Sequence, residues 1–367
     1  MAFKVTPVDN PLYWSQFLSL PREVYRNDPI WTPPGPGAEH VQLNPARNPV
    51  LRHQRIKLFL ALSEGHPVGR IATIIDEFNP RADTGFFGCF ECFNEPVAAR
   101  LLFDQAARWL AEQGVAIMVG PATFNTNQKV GFLLEGFDSA PSHMMPYNPP
   151  YYGSLADSAG LVKLTDLLSY RWGIEQTLPA SMAAVAARAE GVPGLIVRRL
   201  DFHYPEREAA IIRELFNTSF VNNWGFIPLT MAESMAMVGH LQQAGDPNLL
   251  LIAFIGQVPA GMLLGMPETP PRRSAGDSLQ RNIRVAILAV KPKYRNRGLH
   301  TVLMLRFIES CRKHGYTGGE LSQMDENNII IKKIVTAITG NLIKRYRVYQ
   351  KKLQPIDHNL RPGTGTV

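Results

Sequence analysis

One pattern constrains this chain of 367 residues more than any other: a single order of elements is read twice, about 180 residues apart. In the first half, 56–62 and 68–75 read as a hairpin across Gly65-His66-Pro67; in the second, 248–255 and 258–266 read as a hairpin across Gly256-Gln257. A strand and a helix precede each hairpin, at 3–8 and 12–25, then at 194–202 and 205–220. A strand, a periodic helix and a further strand follow, at 84–93, 96–113 and 115–119, then at 282–290, 299–314 and 316–323. The segments 164–172 and 344–352 read as the strands that close the two units. A period this long is a tandem domain duplication rather than a solenoid. The sequence thus predicts an α/β mixed fold: a domain over 1–172, a linker over 173–192, a second domain over 193–353 and a flexible tail over 354–367. Each domain is expected to hold a mixed, mostly antiparallel sheet flanked by helices.

Composition narrows the function classes. Hydrophobic residues make up 45% and charged residues 19%, which supports a packed interior and not a disordered chain. Three cysteines, Cys89, Cys92 and Cys311, are too few for a disulfide framework and fit a reducing compartment. Cys89 and Cys92 lie on an expected strand, where residues three apart face opposite sides, and the nine histidines are scattered, so no metal is expected. Neither a Gly-x-Ser-x-Gly elbow nor a Walker motif occurs. The N-terminal residues lack the apolar core of an export signal, and the uncharged stretch 249–266 is broken by Gly256, Pro259, Gly261 and Gly265. The expected location is the cytoplasm, with no membrane partner.

The charge is uneven. Residues 281–353 hold 16 Lys/Arg against 4 Asp/Glu, a balance of +12, which leaves −5 for the rest of the +7 chain. Within this basic stretch, Val290 to Val302 reads VKPKYRNRGLHTV: a buried strand, a basic turn, then a helix. Free amides at a helix N-terminus, with the helix dipole behind them, favour an anion. Lys291, Lys293, Arg295 and Arg297 raise the local potential, and Gly298 removes a Cβ from the turn. The chemistry points to a phosphate or pyrophosphate cradle, or else to a solvated basic turn. Nucleic acid is not expected as a partner, because aromatic residues interleave with the basic ones only at Tyr346 and Tyr349.

The turn Arg295-Asn296-Arg297-Gly298-Leu299-His300 resembles the Arg/Gln-x-x-Gly-x-Gly/Ala motif of the GNAT acyltransferase superfamily. The order of elements in both halves is similar to bacterial two-domain, tandem GNAT-like proteins, as are Asn223-Trp224-Gly225-Phe226 and Met144-Met145-Pro146-Tyr147-Asn148-Pro149. The resemblance implies an N-acyltransferase that moves an acyl group from acetyl-CoA or a longer acyl-CoA to the amine of a small molecule. It implies a pyrophosphate on the amides of Arg297, Gly298, Leu299, His300 and Thr301, with Arg295 and Asn296 in the same turn. The pantetheine arm would lie along Leu288, Ala289 and Val290, with Asn328 beside it. An acyl carrier protein as donor, or a GNAT-shaped binding protein without turnover, are the alternatives. His300 stands where the motif has a small residue, and Val335 stands where many members carry a tyrosine acid. Tyr346 is the phenolic substitute, and Glu320, Asp325 and Glu326 are candidate bases.

The first half lacks the cradle. After 84–93 comes Asn94-Glu95-Pro96, with no basic turn, and Glu95 at a helix start would repel phosphate. This half is therefore expected not to bind CoA. Its stretch 121–128 contains Asn125 and Asn127, which either orient a polar acceptor or brace the two halves. Trp224 and the group Tyr147, Tyr151 and Tyr152 either line an acceptor pocket or pack.

Overall fold

The computed structural model describes residues 2–177, 179–268 and 281–354, and the backbone of 272–273 and 279–280. Apart from Gln354, the expected tail lies outside the described residues. Among them, thirteen strands form one continuous sheet. From one edge its first five strands are Phe3–Pro7, Gln54–Ser63, His66–Asp76, Thr84–Cys92 and Ile117–Gly120. From the other edge they are Leu195–Arg199, Leu250–Ile255, Val258–Pro267, Asn282–Val290 and Gly318–Asp325. The two series repeat the same plan. In each, the neighbours are antiparallel except for one parallel pair, Thr84–Cys92 with Ile117–Gly120 and Asn282–Val290 with Gly318–Asp325.

The centre of the sheet departs from the order along the chain. Val162–Gly173 pairs with Gly318–Asp325 of the second half, and Asn341–Lys352 pairs with Ile117–Gly120 and Phe132–Glu135 of the first. These two long strands also pair with each other. The closing strands are therefore exchanged: 164–172 closes the second unit, not the first. Burial follows the exchange. Trp172 packs in the second core, whereas Tyr346, Val348 and Tyr349 are buried in the cores of the first half.

Helices cover the sheet with their apolar faces. Leu299–Lys313 buries Leu299, Val302, Leu303, Phe307 and Cys311. Thr230 and Glu233 form the reciprocal cap that starts Met231–Ala244. In place of a linker over 173–192, the structure has the helix Ala180–Glu190, whose Ala186 and Ala189 are buried against Val302. Small side chains let its backbone lie close to the helix Leu299–Lys313. Among the described residues, no helix is long and apolar enough to cross a membrane, and no group of three or more His, Cys, Asp or Glu could hold a metal ion.

Candidate active site

The basic turn is held open by its own backbone. Asn296 and Gly298 both have left-handed φ, 59° and 79°. The amides of residues 296–300 find no acceptor among the described residues. The Thr301 amide, expected to belong to the cradle, instead donates to the Gly298 carbonyl at 2.9 Å. Gly298 is needed for its conformation and for packing: a Cβ there would lie 2.8 Å from Val185 Cγ1 and 2.9 Å from Ala189 Cβ. The helix Ala180–Glu190 therefore requires the missing Cβ.

The basic side chains divide by task. Lys291 is buried and paired with Glu214. Arg295 donates through Nε to the Val290 carbonyl at 3.1 Å and through a terminal nitrogen to the Ser219 carbonyl. Its guanidinium thus ties the turn to the helix Pro205–Ser219 and is not spare for phosphate. Lys293 sits over the Tyr294 ring at 4.7 Å. Arg297 is exposed and without an ion-pair or hydrogen-bond partner among the described residues. His300 is half-buried, and burial lowers its pKa.

Below the turn the sheet splits. Asn282–Val290 and Gly318–Asp325 pair from Asn282↔Gly318 to Val285↔Leu321 and no further. The first continues along Val258–Pro267, the second along Val162–Gly173, so the two diverge. The Lys291 amide donates to Ala260 on the Val258–Pro267 side. Strand alternation therefore sends the N–H groups of Val290 and Leu288 into the gap, while Ala289 faces its paired neighbour. The gap opens onto an apolar cavity of about 200 Å³. Leu288, Met304, Phe307, Ile334 and Ile338 are among its walls.

On the other side of the split lies a vestibule of about 660 Å³ that shares Ala286, Ile287, Gln323, Asp325 and Asn328 with the apolar cavity. Asp325 is positioned at this junction: its Oδ1 accepts from Thr165 Oγ1 at 3.2 Å and from the Asn327 amide at 2.7 Å. Asn328 caps the helix Ile329–Ile338 by accepting the Ile331 amide at 3.2 Å. Trp224 and Asn127 line the vestibule. Arg284, which the sequence reading passed over, lines it too. Its Nε donates to Ser322 Oγ at 3.0 Å, and burial lowers its pKa while Glu320 opposes that shift. A lone arginine inside the apolar run NIRVAILAV was the available signal.

The remaining expected residues lie elsewhere. Tyr346 is fully buried among residues of the first half, and its hydroxyl, near Ser169, has no hydrogen-bond partner among the described residues. Burial, helped by the Glu320 charge, raises its pKa well above the ordinary phenol value. Glu320 is buried, accepts from Ser142 Oγ at 2.6 Å and lines neither cavity. Asn125 is buried against Asp76, its Nδ2 3.1 Å from Oδ2. Asn127 donates to the Ile227 carbonyl at 2.9 Å and Thr126 donates to the Gly225 carbonyl, so the stretch braces the two halves. Tyr147 donates to Asp28 at 2.7 Å and lines a separate cavity of the first half.

A basic helix start above a split parallel pair is the arrangement that comparison with known proteins meets. Residues 209–331 match the acetyltransferase (GNAT) family. The whole chain has the fold of a tandem GNAT protein from the clavulanic acid biosynthesis pathway, with 14% identity, a TM-score of 0.54, and coverage of 97% of this chain and 100% of that one. It is also similar to a GCN5-related glucosamine N-acetyltransferase region in a fungal multi-domain β-N-acetylglucosaminidase, at 14% identity and a TM-score of 0.55. That match covers 95% of this chain and 38% of the other. In sequence, the chain is 29% identical to a bacterial ceramide synthase of Caulobacter vibrioides over 95% of its length and 97% of the relative's. Both halves of the chain are built on one plan, and the match to the acetyltransferase family lies in the second.

Proposed function

We propose that this acyltransferase takes its acyl group from an acyl-CoA thioester and delivers it to the amine of a lipid-like acceptor in the vestibule. The observation that carries the reading is the run of unused amides at 296–300 directly above the split. These amides, with Arg297, fit a diphosphate, since aligned N–H groups at a helix start stabilise negative charge. The gap-facing N–H groups of Leu288 and Val290 fit the pantetheine arm. One of them is placed to meet the thioester oxygen as charge develops on it. Asp325, at the junction of the two cavities, holds the incoming ammonium and takes its proton. The neutral amine attacks, the C–N bond forms as the C–S bond breaks, the second proton leaving the nitrogen passes to the thiolate, and Asp325 gives up the first to solvent.

The vestibule supports an acceptor with an apolar body: Leu164, Phe216, Trp224 and Met237 are in its wall. The relative named bacterial ceramide synthase supports the amine of a long-chain base. The test is calorimetry with CoA. Arg297→Glu sets a carboxylate beside the helix start, one residue before the cap, and CoA should bind roughly 100-fold more weakly, from a lost charge-assisted bond and added repulsion. Unchanged affinity would remove the cradle from the reading. No CoA binding by the unaltered chain, with capture of an acylated carrier protein instead, would make that carrier the donor.

A further inference from the structure

We infer that the acyl group is an aliphatic chain, housed in the cavity between the helices Leu299–Lys313 and Ile329–Ile338. This rests on the thioester reading above and names the class of donor. The cavity has two unlike ends. Ser322, Gln323, Asp325 and Asn328 gather at the end next to the vestibule. The other end is walled by Met304, Phe307, Ile308, Trp172, Ile334 and Ile338, with no charged or amide side chain. A pantetheine arm carries two amides, and the one polar side-chain group at that end is the unpartnered Trp172 Nε1, which could serve one carbonyl only. An acetyl group is too short to fill it. An apolar hollow of this kind stays dry and takes apolar matter.

The helix Ile329–Ile338 gives the independent observation. Its inward residues Ile331, Ile334 and Ile338 are only half-buried, and Val335 is its one buried side chain. A face this apolar has found too little protein to cover it. The missing cover has the place and the chemistry of a hydrocarbon chain, which would finish the core that this helix begins. In the first half the corresponding space holds Phe90, Phe103, Phe132 and Tyr152, ring against ring. The space is therefore one that an apolar mass can fill.

The experiment is a chain-length series: CoA, acetyl-CoA, octanoyl-CoA and dodecanoyl-CoA, each below its micelle concentration, titrated by calorimetry. The unaltered chain should bind dodecanoyl-CoA at least 10-fold more tightly than acetyl-CoA. Ile334→Trp, which fills the hollow, should cancel that gain and leave CoA and acetyl-CoA within 2-fold. Ile338→Phe serves if the first variant does not fold. Equal affinity across the series, or a variant that weakens every ligand alike, would overturn the aliphatic chain and leave the thioester reading intact. Failure of all four ligands to bind would overturn the thioester reading itself.

Discussion

The two halves meet the same architectural problem and solve it in opposite ways. Each has a parallel strand pair that separates after a few residues: after Val285↔Leu321 in the second half and after Phe86↔Val119 in the first. A split sheet leaves a wedge of space beneath the helix that crosses it. The second half keeps the wedge open as a cavity of about 200 Å³. The first half fills it with rings: Phe90 stacks on Phe103 at 4.7 Å and meets Tyr152 edge-on at 5.1 Å, and Phe87 meets Phe103 edge-on at 5.3 Å. The helix starts differ in the same sense. Gly298 begins one with a positive φ and Arg297, unpaired among the described residues, before it; Glu95 begins the other with a carboxylate. One copy of the plan is a container, and the other is a buttress whose residues Thr165 and Asn127 reach the shared cleft.

The comparison can be broken most severely through the exchanged strands. Chains 1–192 and 193–367, made separately, should each lack a cooperative melt, because each would be left without the strand that fills its sheet. Produced together they should associate and regain the melt of the intact chain. A cooperative transition in either piece alone, followed by circular dichroism, would contradict the exchange.

The next effect is smaller and sharpens the container-and-buttress distinction. Phe90→Ala should destabilise the protein by about 3–5 kcal/mol, as truncation of a fully packed aromatic does, measured by urea unfolding. It should create no CoA site in the first half, since Glu95 remains. A loss under about 1 kcal/mol would mean that the ring cluster does not carry the wedge.

The smallest effect concerns Tyr346. It lies on the strand that crosses into the first half, so the phenol proposed by the sequence as an acid is in the buttress. Tyr346→Phe should leave turnover within about 2-fold and change stability by less than about 1 kcal/mol, because the hydroxyl has no hydrogen-bond partner among the described residues. A rate decrease of 10-fold or more at unchanged CoA affinity would return the residue to the mechanism.

Much of this was legible in the residues, and the gaps have a common cause. Hairpins across Gly65 and Gly256, the reciprocal cap of Thr230 and Glu233 and the cradle helix are local, and local spacing reveals them. The strand exchange is not local. The segments at 164–172 and 344–352 are both long strands with buried faces, and nothing in either one names its neighbour. Arg295 reads as a phosphate ligand beside Arg297, but its partner carbonyl, Ser219, lies 76 residues earlier. The helix Ala180–Glu190 was hidden by its alanines, which carry little apolar contrast yet allow close approach to Gly298. Asp325 was read as one base among several; Thr165, brought by the exchanged strand, singles it out.

The exchange also sets a timetable for synthesis. The strand that completes the first half, Asn341–Lys352, is made after every other strand of the sheet. Until then the nascent chain carries an open sheet edge along Ile117–Gly120, the kind of surface that other chains can join. The earlier half must therefore wait, unfinished, for the later one, and the acyl-transfer machinery and its support reach maturity in a single closing step.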